Sequence, residues 1–137
     1  MTIAWSAGMA SGSTVLDAEH RRLVERVDGL VSALEEGQGR PDLEHALRSL
    51  GDVAVREFGR DEDCPFRDRC PAVAANGQAH AELIGILARI RRDVEAGPRG
   101  QGEDESAGEA RRALVGWLGR YLPGASAATL PCVEAAH

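Results

Sequence analysis

Apolar residues recur along this chain at steps of three and four, the spacing that lines one face of an α-helix. The first stretch is closed by Gly37-Gln38-Gly39, which is a helix stop signal. The second begins near Pro41-Asp42 and ends before Pro65, because the residue preceding a proline avoids helical angles. The pattern therefore predicts two helices in the first half of the chain. Their stripes are Leu16, Leu23, Val24, Val27, Leu30, Val31 and Leu34, and then Leu43, Ala46, Leu47, Leu50, Ala54, Glu57, Phe58 and Asp61.

Two further stretches with helical spacing follow in the second half. One runs from Val73 to Ala96, and the other is interrupted at Pro123-Gly124. The polar, glycine-rich connection over residues 97–108 predicts a mobile loop. We expect an extended arm over residues 1–13 and a weakly patterned tail over residues 125–137. The two stripes are Asn76, His80, Leu83, Ile84, Leu87, Ile90 and Val94, and then Ala110, Ala113, Leu114, Trp117 and Tyr121.

Four amphipathic helices with mostly short connections predict an all-α, antiparallel up-down-up-down four-helix bundle. A length of 137 residues suits a single domain over residues 1–137, and a hydrophobic content of 43% suffices for a core. The net charge of -6 argues against binding to nucleic acid. No apolar run reaches the roughly 20 residues that cross a bilayer, and the first residues lack the features of a signal peptide. We therefore expect a cytoplasmic protein with neither a membrane nor a nucleic acid as its partner.

Polar side chains interrupt the apolar stripe of every predicted helix: His20, then Glu57 and Asp61, then His80, then Tyr121. Glu57 and Asp61 are four residues apart and share one helix face, where a carboxylate is costly unless it is paired or metal-bound. Imidazole and carboxylate ligands suit iron, manganese or zinc. Two interpretations stay open at this point. Either the helices hold a metal between them, or the histidines are hydrogen-bonded in the core while the carboxylates pair with arginine and face solvent.

Three cysteines, Cys64, Cys70 and Cys132, make an odd number that fits no closed disulfide framework. Cys64 follows Asp61 by three residues, so its thiol is a candidate soft ligand or redox partner at the same end of the bundle. A Cys64–Cys70 disulfide is also sterically feasible. The alternative is that these cysteines fill small apolar gaps.

In the first half of the chain Trp5 is followed by Asp17-Ala18-Glu19-His20, a Trp and then Asp-x-x-His. This order resembles the opening of bacterial hemerythrins. The segment Glu57-Phe58-Gly59-Arg60-Asp61-Glu62 is similar to the family's His-Phe-x-x-Glu-Glu.

Motifs in the second half extend the resemblance in the same order. Pro71, Asn76 and His80 match the family's Pro followed by His-x-x-x-His. Trp117-Leu118-Gly119-Arg120-Tyr121 and then Ser126 are similar to its Trp-Leu-x-x-His with a later Asp. The resemblance spans nearly the whole chain. It implies a hemerythrin-like bundle, which in that family holds two irons with five histidines and two bridging carboxylates and binds dioxygen.

The resemblance implies a metal site that is only partly kept. His20 and His80 match ligand histidines, Asp61 matches a bridging carboxylate, and Glu57 stands where a histidine is expected. The implied metal ligands are therefore these four residues. The remaining positions are candidates for further ligands or pocket lining. They are Tyr121 and Asn76, which replace histidines, Ser126, which replaces the second bridging Asp, and Cys64.

The function implied is that of a non-heme metal-binding protein for oxygen or redox chemistry rather than ordinary reversible oxygen carriage. Iron is the expected cofactor, as one ion or as an asymmetric pair, with another divalent metal as an alternative. Dioxygen or a small molecule would be the substrate of an oxidase- or oxygenase-type activity, for which Glu57, Asp61, Tyr121 and Cys64 are the candidate catalytic residues. Two alternatives stay open: a metal-independent enzyme in which Glu57 and Asp61 act as an acid/base pair, and a metal-free binding module whose site has decayed. Whether a protein partner exists is left open.

Overall fold

The computed structural model describes the chain except for residues 1, 2, 4, 11, 64–70, 97–106 and 123–137, and it describes no side chains over 58–76. Its elements are a short 3-10 helix Ala7–Met9, then α1 Thr14–Glu35, α2 Arg40–Asp63 and α3 Pro71–Ala96. A fourth helix, α4, is described over residues 107–122.

The ends of α1 are set by local hydrogen bonds that the sequence encodes. The Ser13 side chain accepts from the backbone N–H of Leu16 at 3.3 Å and caps the first turn. At the other end Gly37 takes a φ of +66°, a left-handed conformation that glycine adopts without strain. This places the Gly37 N–H on the Leu34 carbonyl and the Gln38 N–H on the Ala33 carbonyl, the two bonds of a Schellman motif. The predicted stop signal is confirmed.

The four helices contact one another in sequence and close into a bundle. α1 packs against α2, and α2 against α3. α4 joins α3 through the Trp117 indole N–H, which donates to the Ala79 carbonyl at 2.8 Å. It joins α1 through Arg111 and Glu35, whose side chains lie 3.1 Å apart at the opposite end of the bundle. The predicted all-α, up-down four-helix bundle is confirmed.

The core is built from the apolar stripes of the four helices. The stripe predicted for α1 is buried, with Leu34 partly so. One stripe position of α3 was predicted wrongly, because Ile84 is 60% exposed. Successive helical residues are rotated by about 100°, so Ile84 is turned away from Leu83 and Ile90, which hold the buried side.

Three predicted boundaries also differ from the structure. Residues 107 and 108 are helical, so the loop predicted over 97–108 ends earlier than its last two positions; residues 97–106 lie outside the description. α3 begins at Pro71 instead of Val73, because proline is favoured in the first turn of a helix, where its missing N–H is not needed. The arm is not extended throughout, since Ala7–Met9 forms a 3-10 turn. The predicted tail over 125–137 lies outside the described residues.

The N-terminal arm lies along α1. The backbone N–H of Ile3 donates to an Asp28 carboxylate oxygen at 2.8 Å, and the Arg21 guanidinium lies 5.2 Å from the centre of the Trp5 ring. Ile3, Trp5 and Met9 are partly buried against the core. No helix within the described part of the chain is long and apolar enough to cross a membrane.

Candidate metal centre

Four polar or phenolic side chains, one from each helix, meet inside the bundle. His20 of α1, Glu57 of α2, His80 of α3 and Tyr121 of α4 are 1%, 2%, 9% and 4% exposed. Each occupies a position on the apolar stripe of its helix, so the same periodicity that builds the core carries these groups into it. A polar group in such a place is retained only with partners, because its desolvation is otherwise uncompensated.

The closest contact of this cluster joins His20 and Glu57. The Nε2 atom of His20 lies 2.9 Å from Oε1 of Glu57, and both side chains are 1% exposed. The two atoms are nevertheless not aligned as a hydrogen bond: among the described residues, both ring nitrogens of His20 and the second carboxylate oxygen of Glu57 lack a hydrogen-bond partner. A buried imidazole and carboxylate at hydrogen-bond distance without the bond form an unusual pair.

The spacing of these two atoms suits a shared metal ion. Nitrogen and oxygen ligands bind a transition metal at about 2.0–2.2 Å, so two neighbouring ligand atoms on one ion lie about 3.0–3.5 Å apart. The His20–Glu57 separation of 2.9 Å is close to the short end of that range, and it is also the distance of an ordinary ion pair. An imidazole nitrogen and a carboxylate oxygen are also the donor types that iron accepts. These two residues therefore fit a metal ion.

Tyr121 holds the Glu57 carboxylate from the other side. Its hydroxyl donates to Oε1 of Glu57 at 3.1 Å, so this oxygen is shared between the phenol and the imidazole contact. The ring meets His20 edge-on at a centroid distance of 5.8 Å and lies 6.0 Å from the tilted ring of His80. Tyr121 thus contacts the polar side chains of the other three helices.

Trp117 packs against Tyr121 and contacts α3 next to His80. Its ring stacks on Tyr121 with centroids 4.7 Å apart and planes 10° apart, and its indole N–H bonds to the carbonyl of Ala79, the residue before His80. Trp117 therefore positions the Tyr121 ring, and it also links α4 to the α3 backbone next to His80. The sequence had placed Trp117 in the core but gave it no part in the site. The signal was its spacing of four residues from Tyr121, which puts the two rings on one helix face.

The structure brings together four of the predicted residues: His20, Glu57, His80 and Tyr121. Asp61 lies in α2 and Asn76 in α3, but their side chains are outside the description. The other predicted positions, Cys64, Cys70, Ser126 and Cys132, lie outside the described residues. Within the described residues no group of three His, Cys, Asp or Glu is placed to hold one ion. The role of Asp61 as a further ligand stays a prediction.

The fold and this cluster together define a class: a four-helix bundle with a histidine–carboxylate cluster buried in its core. Sequence comparison identifies the class further. The chain is 25% identical over 122 residues to a bacteriohemerythrin of Stenotrophomonas maltophilia (strain R551-3), an alignment that covers 89% of this chain and 75% of that protein. The chain is therefore a distant homologue of bacteriohemerythrin, the resemblance that its motifs predicted. No family model matches the chain, and no solved structure matches it.

Proposed function

We propose that this hemerythrin-like protein binds a non-heme metal ion, with iron as the expected metal, in a rebuilt histidine–carboxylate site. The ligands are His20, Glu57, Asp61 and His80, and the site serves oxygen or redox chemistry on dioxygen or a small molecule. The observation that carries the proposal is the buried contact of His20 and Glu57, 2.9 Å apart and without a hydrogen bond between them.

Charge and burial give each residue a distinct part in this proposal. Glu57 supplies negative charge in an apolar core, which favours a cation there. Tyr121 donates to Oε1 of Glu57 and holds that carboxylate in one orientation. Trp117, 1% exposed, packs against Tyr121 beside the cluster. A bound iron ion with open positions would supply Lewis-acid and redox chemistry.

We do not propose ordinary reversible oxygen carriage, because several expected ligand residues are replaced in this sequence. By the resemblance, Asn76 and Tyr121 stand where two ligand histidines are expected, and Ser126 stands where the second bridging carboxylate is expected. An amide is a poor ligand for a transition metal. These losses fall in the second half of the sequence, whereas His20, Glu57 and Asp61 in the first half are all donor residues. We therefore propose one ion, or two in unequal sites.

Metal content and metal-dependent stability test the proposal together. The purified chain is stripped with a chelator, incubated anaerobically with ferrous iron and desalted, and iron per chain and the unfolding midpoint are measured. We expect about one iron per chain, and a midpoint that rises because a ligand at 100 times its Kd stabilises by ~2.7 kcal/mol. His20→Ala and Glu57→Gln should lose both effects. His45→Ala is the matched control, because His45 lies on α2 with an exposed side chain.

Fewer than about 0.2 iron per chain in the unchanged protein would contradict the proposal, since a folded ligand set binds metal stoichiometrically. Activity that survives complete chelation but is lost in Asp61→Asn would instead favour the metal-independent acid/base enzyme. An unchanged midpoint in all variants, with no metal bound, would favour the metal-free binding module.

A further inference from the structure

The N-terminal arm is held on one edge of α1 by two contacts. The backbone N–H of Ile3 donates to Asp28 at 2.8 Å, and the Arg21 guanidinium lies 5.2 Å from the centre of the Trp5 ring. Arg21, Asp28 and Glu35 follow one another at intervals of seven residues, close to two helical turns, so they form one line along α1. Because Glu35 is paired with an arginine of α4 at 3.1 Å, this line is the edge of α1 that borders α4.

The α4 side of this border is apolar, and it is buried at the level of the arm. Leu118 and Leu122 follow Arg111 by seven and eleven residues and share its helix face, which borders α1. Leu118 is therefore as far from the pair between α1 and α4 as Asp28 is on the other helix. Leu118 and Leu122 are 3% and 2% exposed, whereas Val115, on the same face but nearer to Arg111, is 40% exposed.

The side chains of the arm account for this difference in exposure. Ile3, Trp5 and Met9 are partly buried against the core cluster to which Leu118 and Leu122 belong. Ile3 and Trp5 are also the residues whose contacts fix the arm on α1. The arm thus covers the α1–α4 seam, by which we mean the border with Arg21 and Asp28 on α1 and with Leu118 and Leu122 on α4.

Two members of the buried cluster lie directly behind this seam. His20 immediately precedes Arg21, the residue over the Trp5 ring. Tyr121 immediately precedes Leu122. The rings of His20 and Tyr121 meet edge-on across the two helices, with centroids 5.8 Å apart. A molecule that enters between α1 and α4 at the level of the arm therefore meets these two side chains first.

The junction between the arm and α1 allows the arm to leave without unwinding the helix. Gly12 has a φ of +93°, and an added Cβ there would meet nothing within 4 Å, so the chain turns at this residue in open space. α1 begins independently of the arm, because the Ser13 side chain accepts from the Leu16 N–H. The two contacts that hold the arm, one hydrogen bond and one cation–π contact, are individually weak.

We propose that the arm is a strap that closes the α1–α4 seam, and that small uncharged molecules reach the buried cluster through this seam when the strap is released. The walls of the seam favour uncharged molecules, because a charged one would lose its hydration between Leu118 and Leu122. The inference rests on the proposed function, since it names the entrance to that site and the class of molecule that passes it. Dioxygen belongs to this class.

The test measures access to the cluster in the full chain stripped of metal, so its result does not depend on iron binding. Trp5→Phe is the reference, because it keeps an aromatic ring in the arm and leaves Trp117 as the single tryptophan. Trp117 stacks on Tyr121, so quenching of its fluorescence reports access to the cluster. Quenching constants are obtained from fluorescence lifetimes with acrylamide, which is uncharged, and with iodide, which is an anion.

Two variants release the strap by different means. Ile3→Asp combined with Trp5→Ser places a carboxylate beside Asp28 and removes the ring from the seam. Asp28→Ala in the Trp5→Phe reference removes only the acceptor of the arm hydrogen bond. Asp52→Ala in the same reference is the matched control, because Asp52 is an exposed aspartate of α2. Amide hydrogen exchange of the arm shows whether it has left α1.

We expect the combined change at Ile3 and Trp5 to raise the acrylamide quenching constant by about tenfold or more, because the open state of a closed protein is typically populated at about 0.1–10%. The iodide constant should rise by a smaller factor. Asp28→Ala should give an intermediate rise for acrylamide, and Asp52→Ala should leave both constants unchanged.

Two results would overturn the proposal. The first is an acrylamide constant that is unchanged in both release variants, since an arm that only stabilises the fold predicts no new access. The second is a rise of both constants to those of the urea-unfolded chain, which would mean that the bundle has opened as a whole; circular dichroism and thermal unfolding check this. A chain that shows the expected gating but binds no iron would contradict the proposed function alone.

Discussion

The His20 imidazole and the Glu57 carboxylate face each other at 2.9 Å in the core of the bundle, yet no hydrogen bond joins them. One carboxylate oxygen is also shared with the Tyr121 hydroxyl at 3.1 Å. Such a pair is poorly satisfied in the metal-free protein, because buried polar atoms are normally hydrogen-bonded. A ligand that contacts both groups would satisfy them, and the first prediction tests this.

The first prediction compares the effect of Glu57→Gln on the stability of the metal-free protein with its effect on iron binding. In the metal-free protein, Glu57→Gln should change the free energy of unfolding by no more than about 1–2 kcal/mol, because the amide keeps an acceptor oxygen for the Tyr121 hydroxyl and removes a buried charge. The same variant should lose the iron-induced rise of the midpoint. Urea unfolding with and without iron measures both effects.

Glu44→Gln provides the control for this prediction. Its carboxylate lies on the same helix but is 40% exposed and pairs with Arg40 on the surface. Because such exposed pairs contribute about 0–1 kcal/mol, this change should have little effect on either measurement. A loss of several kcal/mol on Glu57→Gln in the metal-free protein would mean that the carboxylate stabilises the fold and is not kept for a ligand.

The second prediction concerns the coupling of Tyr121 to Glu57. Removing the phenol hydroxyl in Tyr121→Phe should lower the free energy of unfolding by about 1–3 kcal/mol, since it deletes a buried hydrogen bond to a carboxylate. In a double-mutant cycle with Glu57→Gln, the two changes should deviate from additivity by roughly 0.5–3 kcal/mol, as contacting residues do. The cycle of Tyr121→Phe with Glu44→Gln should be additive within about 0.5 kcal/mol. Additivity in both cycles would show that the 3.1 Å contact contributes nothing.

The limits of sequence-based prediction can be traced to particular residues. Helical periodicity placed His20, Glu57, His80 and Tyr121 on core stripes, and the structure buries all four. Periodicity gives only one angle per residue, however, so it could not decide that Ile84 falls outside the buried stripe while Leu83 falls inside. Periodicity also does not predict contacts between helices. The hydrogen bond from the Trp117 indole to the Ala79 carbonyl depends on the position of α4 along the axis of α3. The spacing of residues along one helix does not determine this relative axial position.

The third prediction compares these two adjacent residues of α3. Leu83 is fully buried, whereas Ile84 is 60% exposed. Leu83→Ala should lower the free energy of unfolding by about 2–5 kcal/mol, because it removes buried methyl groups and leaves a cavity. Ile84→Ala should change it by only about 0.5 kcal/mol in either direction. Chemical denaturation of the two variants tests the rotation of α3 about its own axis, and similar losses for both would place the helix in a different orientation.

The last prediction concerns two glycines, one inside α1 and one just after its C-terminal end. Gly37 ends the helix with a φ of +66°, whereas Gly29 lies inside it, exposed, with nothing within 4 Å of an added Cβ. Gly37→Ala should destabilise by about 1–2 kcal/mol, because a Cβ is strained in the left-handed region. Gly29→Ala should stabilise by about 0.5–1 kcal/mol, because alanine loses less backbone entropy in a helix. Thermal unfolding should therefore shift in opposite directions for one identical side-chain change. A stabilising Gly37→Ala would mean that α1 continues beyond the Schellman turn.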